Sequence, residues 1–175
     1  MKPFTKFPTK IKGFSLLEMM LYVSISSVIL LSLSLLLTSL LSSRLKSQSI
    51  ADVDQQGMQV LQLVTQTVRN AKSVDFPSVG ATSTSLSVSV SDPMLSPTVF
   101  DVVNGVVRIT EGSNPPIALT NSHVTVSSFV FYNISSTSSA DRIVRTSFTV
   151  DYKNISGRNE TSYTKSFIGS ATQRQ

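Results

Sequence analysis

Residues Gly13 to Leu41 read G-F-S-L-L-E-M-M-L-Y-V-S-I-S-S-V-I-L-L-S-L-S-L-L-L-T-S-L-L, and the rest of the chain is organised around this stretch. From Phe14 onward its only charged residue is Glu18, and neither Gly nor Pro interrupts it. A helix over residues 14–41 rises about 42 Å, whereas the hydrocarbon core of a bilayer is about 30 Å thick. A helical serine hydroxyl can donate its hydrogen bond to a carbonyl one turn earlier, so the serines are compatible with lipid. The stretch therefore predicts a membrane-spanning helix.

Glu18 is the one acid in this apolar run, and an ionised side chain inside a membrane indicates a functional site with a partner. Cleavage after Gly13 would create that partner, because Phe14 would then carry a free α-amino group. In a helix beginning at Phe14, the carboxylate would lie four residues from this amine, on the same face and in the first turn. The amine could be neutralised within one chain or by the neighbouring chain in a bundle of helices.

The run Lys12-Gly13-Phe14-Ser15-Leu16-Leu17-Glu18, after a short Lys-bearing leader, resembles the signal of type IV prepilins and pseudopilins. The resemblance implies that prepilin peptidase cuts after Gly13, that Phe14 is N-methylated, and that Glu18 pairs with the terminal amine of a neighbouring subunit during assembly. It also implies other pilins or pseudopilins, an assembly platform protein and an ATPase as partners, and a filament for adhesion or motility, secretion or DNA uptake. The segment from residue 55 to 73 resembles the corresponding helix of minor pilins and of J- or W-type pseudopilins.

Two other kinds of N-terminal segment were weighed against this one. A secretory signal has an apolar region of about 7 to 15 residues, much shorter than the run here. A plain signal anchor, displaying a head that binds DNA or another ligand, explains the apolar length and the lysines on its cytoplasmic side. The anchor leaves Glu18 and the Gly13-Phe14 step unexplained. Both the pilin-like interpretation and the anchor predict a single-pass protein of the cytoplasmic membrane with an exported head.

Composition limits what the rest of the chain can be. The formal charge is +5, but four of the 15 Lys and Arg residues lie in the leader, so the remaining 11 nearly balance the 10 acids. The charge of the processed chain is therefore no argument for nucleic acid. The sequence has no Cys, which excludes disulfides, thiolate metal sites and a lipoprotein anchor.

The predicted domains are a leader over residues 1–13, a membrane or filament-core helix over 14–41, an amphipathic continuation over 42–74 and a β-rich head over 75–175. In the continuation, apolar positions recur at steps of three and four, as in a helix with one buried face. These positions are Ile50, Val53, Gly57, Val60 or Leu61, Val64, Val68 and Ala71. Gly57 is either a flex point or a close-packing site. Major pilins often carry a Pro in the membrane half, and its absence here favours a minor subunit.

In the head, apolar residues recur with a different period from that of the helix. Residues 75–85 predict the end of the helix and a loop, and beyond them Leu86, Val88 and Val90 alternate with serines as in a half-buried strand. Asn104-Gly105 between two β-branched runs predicts a type I′ hairpin. Further strands are predicted over residues 117–119, 124–132, 143–152 and 160–168. The fold class is therefore α+β, with a long helix packed on an antiparallel sheet of about five to seven strands.

A basic patch is the candidate binding site of the head, with the cations Arg142, Arg145, Lys153, Arg158 and Lys165. Phe148, Tyr152 and Tyr163 are interleaved with them, and stacking of bases beside cations is how single-stranded nucleic acid is held. Acids nearby offset three of the five charges, and cations near sheet edges often serve only to prevent association. Nucleic acid is therefore a weak expectation.

We predict no enzyme, cofactor or metal site. His123 is the only histidine, and no G-x-S-x-G sequence marks a nucleophile. On a helix, Asp52 and Asp54 point about 200° apart, and no calcium-loop pattern is present. Asn133-Ile-Ser, Asn154-Ile-Ser and Asn159-Glu-Thr match a glycosylation pattern and are interpreted as surface loops.

Overall fold

A computed structural model describes residues 13–136, 142–154 and 162–173. The chain divides into two compact units, of which the first ends at Ser43 and the second begins at Arg44. The long helix α1, Leu16–Asn70, contributes its first part to one unit and its second part to the other. The two units are described in turn.

In the first unit, α1 exposes its apolar side chains along nearly its whole length. An 18-residue window of the helix has a mean hydropathy of 2.3, so by length and composition it can cross a membrane. Hydroxyl groups bond to carbonyls one turn earlier, for example Ser27 Oγ to Val23 O at 2.7 Å and Ser32 Oγ to Val28 O at 2.9 Å. The predicted return of these hydrogen bonds to the backbone is confirmed.

In the second unit, α1 buries one stripe of residues at steps of three and four. Ser49, Val53, Gly57, Val60, Val64 and Val68 form this stripe. The predicted buried face is confirmed for the last five of these positions. At its start Ser49 is buried, whereas Ile50 is only half-buried. Ser49 tolerates burial because its Oγ donates to Leu45 O at 3.0 Å.

The helix ends four residues earlier than the predicted boundary at residue 74. The strand β1, Ser73–Phe76, follows at once and pairs antiparallel with β3, Leu86–Ser89. A 2.7 Å hydrogen bond from Lys72 N to Ser89 O joins the chain to the sheet just before β1. The predicted loop over residues 75–85 is also partly wrong, because it contains β2, Thr82–Ser83. The backbone N–H and C=O groups of these residues bond to neighbouring strands, so they do not need a further helical turn.

The first sheet has five strands in the order β1-β3-β4-β5-β6. Its centre is the predicted hairpin of β4, Thr98–Val103, and β5, Val106–Glu111. Asn104 and Gly105 both have positive φ, 53° and 76°, as a type I′ turn requires. The edge strand β6 is Ile117–Ala118.

The second sheet has four strands in the order β2-β7-β8-β9. Its long strands are β7, Val124–Asn133, β8, Ile143–Tyr152, and β9, Thr164–Thr172. The α+β fold class, with a long helix on antiparallel β-structure, is confirmed. The expectation of one sheet with five to seven strands is wrong, since the described residues form nine strands in two sheets. Alternation of apolar residues reports which face of a strand is buried but does not identify its partners.

A bulge in β7 keeps its apolar residues on the buried side. Val124 and Val126 are buried at even positions, whereas Phe129 and Phe131 are buried at odd ones. The register against β8 shifts between Ser127 and Val130, and Ser128 lies there with a φ of 52°. One additional residue on β7 therefore reverses the alternation.

The helix stripe and both sheets share one apolar core. On the helix side it contains the four valines of the stripe, and its largest fully buried side chains are Phe100, Phe131, Phe148 and Leu86. Where α1 meets β9, each element presents a glycine to a large side chain of the other. A Cβ on Gly57 would overlap the Phe167 ring, and a Cβ on Gly169 would lie 2.7 Å from Leu61 Cδ1. Gly57 is therefore a close-packing site.

Candidate processing and assembly site

The Gly13–Phe14 bond lies just before the start of α1. Both residues are exposed, with Phe14 at 70% of its full accessibility. No described atom outside the adjacent residues lies within 4 Å of the position that a Cβ on Gly13 would occupy. The leader residues 1–12 lie outside the described part of the chain. The bond predicted to be cleaved is thus in accessible, non-helical backbone.

Ser15 is the N-cap of α1. Its Oγ accepts a hydrogen bond from Glu18 N at 3.2 Å, and its carbonyl oxygen accepts from Glu18 N at 3.1 Å and Met19 N at 3.2 Å. The N–H of Glu18 is thus shared between the hydroxyl and carbonyl oxygens of Ser15, and a side-chain acceptor at this position stabilises the first turn. The sequence analysis missed this role, although Ser15-x-x-Glu18 has the spacing of a capping box.

Glu18 occupies the first turn of α1 and is partly exposed. The positive end of the helix dipole favours a carboxylate there. In the uncleaved chain the helix begins at Leu16, two residues later than the predicted boundary at Phe14. Because Ser15 caps the helix, Phe14 lies outside it. The pairing of Glu18 with an amine on Phe14 concerns the cleaved chain and stays a prediction.

Aromatic and flexible apolar side chains surround the start of the helix. The rings of Phe14 and Tyr22 meet edge to face with centroids 6.3 Å apart. A shallow apolar groove on the helix is lined by Leu16, Met19, Met20, Val23 and Ser24. Methionine side chains adapt easily to different partners. This end of the helix therefore presents an apolar surface suited to lipid or to packing with other helices.

The four described residues of the predicted basic patch do not lie on one surface. Arg145 is on the outer face of β8, since its neighbours Val144 and Thr146 are buried. Lys165 pairs in register with the buried Val150 and faces the opposite way, toward α1. Arg142 and Lys153 flank the two ends of β8, about 36 Å apart along a strand of this length. Arg158 lies outside the described residues.

Lys165 has a partner within the head. Its Nζ lies 2.9 Å from Asp54 Oδ1 on α1 and 5.5 Å from the centre of the Phe167 ring. The hydrogen bond that Lys165 donates to the Asp54 carboxylate raises the pKa of Lys165, and partial desolvation opposes this shift. Of the interleaved aromatic residues, Phe148 is only 1% exposed and lies in the core. Phe148 is thus not available for stacking on a base, and the charge of Lys165 is already paired with Asp54.

His123 lies beside the helix, with its Nδ1 3.7 Å from Asp52 Oδ2. The predicted divergence of Asp52 and Asp54 is observed, because they approach His123 and Lys165 respectively. Among the described residues, no group of three or more His, Asp or Glu side chains could hold a metal.

Asn133 is not in a surface loop, so that interpretation is wrong. The residue is buried, and its Nδ2 donates to Pro77 O at 2.7 Å. Its backbone also bonds to Gly80 and Ala81, which ties β7 to the segment after β1. The Asn-x-Ser pattern carries no information on burial, and a buried amide with several partners is a structural residue.

A comparison with known protein families found a match in the N-terminal region. Residues 8–34 match the model of the prokaryotic N-terminal methylation motif. The methylation motif spans Gly13, Phe14 and Glu18, and it covers less than a fifth of the chain. It indicates a type IV pilin-like subunit that prepilin peptidase processes and that assembles with other pilins. No curated protein and no solved structure matched the chain.

Proposed function

We propose that this protein is a minor pilin or pseudopilin, a structural subunit of a type IV pilus-like filament. The observation that carries the proposal is the methylation motif at residues 8–34, placed on an exposed apolar helix that begins just after the Gly13–Phe14 bond. Prepilin peptidase would cut this bond and Phe14 would be N-methylated. The filament would serve adhesion or motility, secretion or DNA uptake.

Assembly would use the first part of α1. Its exposed apolar side chains are held in the bilayer before assembly and pack against sister helices afterwards. The terminal amine of one subunit would pair with Glu18 of its neighbour, because an unpaired carboxylate in an apolar helix bundle is costly. The pair would define the axial offset between subunits. An assembly platform protein and its ATPase would supply the work of extraction from the membrane.

The β-rich head would be exported, with the leader on the cytoplasmic side. Four lysines in the leader favour that orientation over Arg44 and Lys46 at the other end of the apolar run. The uninterrupted span of α1, which has no Pro, supports a minor subunit over a major pilin. In the filament, the head would lie outside the cytoplasmic membrane.

The decisive experiment is the N-terminal sequence and intact mass of the protein recovered from its own membranes. We expect a chain that begins at Phe14 and carries one additional methyl group. Cells lacking prepilin peptidase are the control, and they should retain residues 1–13. A chain that keeps its leader in cells with active peptidase would contradict the proposal. A signal-anchored binding module would then be the better account of the chain.

A further inference from the structure

We propose that Ser15 is a positioning residue for leader cleavage, because its cap sets the start of α1 and keeps the Gly13–Phe14 bond outside the helix. This inference rests on the proposed function, in which that bond is cut. Ser15 would act through backbone conformation rather than by contact with the reacting atoms.

The geometry separates the cap from the bond by a short, fixed interval. The bond ends at Phe14, Ser15 follows, and the first helical residue is Leu16. The first turn closes on this serine, because its carbonyl accepts from Glu18 N and Met19 N and its Oγ adds a 3.2 Å hydrogen bond from Glu18 N. A peptidase needs a peptide with free backbone groups, and exposed non-helical segments are the preferred sites of cleavage. The observed start of the helix leaves the scissile bond in such a segment.

The residues upstream determine what happens without the cap. Phe14 is a poor N-cap, whereas glycine is tolerated at that position. If Ser15 no longer caps, the nearest acceptable N-cap is therefore Gly13. A helix capped there would take Phe14 as its first helical residue and would include the scissile bond in its first turn. The identity of residue 15 thus selects between a helix that frees the bond and one that includes it.

The match to the methylation motif supports processing in this region of the chain. The methylation motif matches residues 8–34 and so contains both the bond and the cap. The motif match depends on sequence alone, whereas the cap is read from hydrogen-bond geometry. The cap lies within the matched region.

The test compares four variants of the full-length chain in membranes containing prepilin peptidase. Ser15→Thr and Ser15→Asn keep a capping oxygen, and we expect them to be cleaved at close to the wild-type rate. Ser15→Ala and Ser15→Val lose it, and we expect their initial cleavage rates to fall by up to about fivefold, because a lost cap of about 1 kcal/mol changes the ratio of the two helix starts by that factor. Thr and Val have nearly the same shape, so this pair separates capping from side-chain fit.

The cleavage rates of the four variants either support or overturn the positioning role of Ser15. Equal rates for the wild type, Ala and Val variants would overturn the positioning role. Slow cleavage of all four variants would overturn it too, since the peptidase would then recognise serine itself. Wild-type protein that stays uncleaved would refute the proposed function as well, which distinguishes the two failures. Resistance of all variants to alkaline extraction checks that each is inserted in the membrane.

Discussion

At the scale of single residues, Glu18 has two properties that can be separated. One is its negative charge, and the other is the hydrogen-bonding capacity of its side chain, three residues after the capping Ser15. Glutamine retains the capping-box spacing and hydrogen-bonding capacity but lacks the charge. Alanine lacks both. The two substitutions therefore distinguish a role in assembly from a role in forming the first turn.

We predict that Glu18→Gln and Glu18→Ala are both inserted in the membrane, and that both enter filaments about tenfold less than wild type or worse. The physical reason is the loss of the partner for the terminal amine in an apolar bundle. The measurement is the amount of each variant in sheared or purified filaments relative to the membrane pool. Normal incorporation of the glutamine variant would show that the charge is not required.

Gly57 is a residue at which two physical effects oppose one another. Alanine favours a helix interior over glycine by about 1 kcal/mol. A Cβ at this position would, however, overlap the Phe167 ring of β9, and overpacking costs about 1–3 kcal/mol. We predict that Gly57→Ala lowers the free energy of unfolding of the head, measured by denaturant unfolding in detergent.

The matched control for this substitution is on β9. Phe167→Leu alone should be destabilising, because it leaves a cavity beside Gly57. Combined with Gly57→Ala, it should be less destabilising than the sum of the two single changes, since the smaller side chain makes room for the methyl group. A more stable Gly57→Ala protein would contradict the close packing described here.

At the scale of elements, the success of each sequence-based prediction depends on whether its signal is local. The β4–β5 hairpin was predicted because Asn104-Gly105 by itself imposes the turn. The strands β1 and β2 were missed because they are four and two residues long and form only through distant partners. The helix boundary at Asn70 depends on β1 in the same way.

The basic patch shows the limit of reasoning from proximity in sequence. Arg145 and Lys165 are cations of neighbouring strands, yet β8 and β9 present them on opposite faces. The predicted processing site, by contrast, depends on residues within one short segment, Gly13, Phe14 and Glu18, and the methylation motif matches the region that contains them. Even there the cap on Ser15 went unnoticed, although the Ser-x-x-Glu spacing was visible in the sequence.

At the scale of the whole molecule, the second unit is held together by one core and by ion pairs that cross between its elements. The Lys165–Asp54 pair joins β9 to α1, whereas the Arg108–Asp101 pair joins β5 to β4. Hydrogen bonding to the carboxylate raises the pKa of both cations. Of these two cations, only Lys165 loses its charge within an experimentally accessible alkaline pH range.

We predict that the stabilising effect of Asp54 disappears at high pH. Because the pKa of Lys165 is higher in the folded protein than in the unfolded chain, the contribution is complete below the ordinary lysine pKa and is lost as the pH rises through the folded value. The difference in thermal midpoint between wild type and Asp54→Asn should therefore close between about pH 9 and pH 12.

Asp101→Asn is the control for this titration. Arg108 stays protonated throughout the range, so the difference between wild type and Asp101→Asn should persist while tyrosines and other lysines titrate. If the difference in thermal midpoint between wild type and Asp54→Asn stays constant with pH, the ion pair does not contribute to folding.

The reciprocal glycines at the contact between α1 and β9 also have a mechanical consequence. Phe167 occupies a notch at Gly57, and Leu61 occupies one at Gly169 on the opposing element. Displacing the helix relative to β9 would press these large side chains against the opposing backbone. When the helix is pulled, the shape of the contact therefore adds to the resistance that surface adhesion provides. A subunit pulled by its N-terminal helix would transfer that load to the last strand of its head.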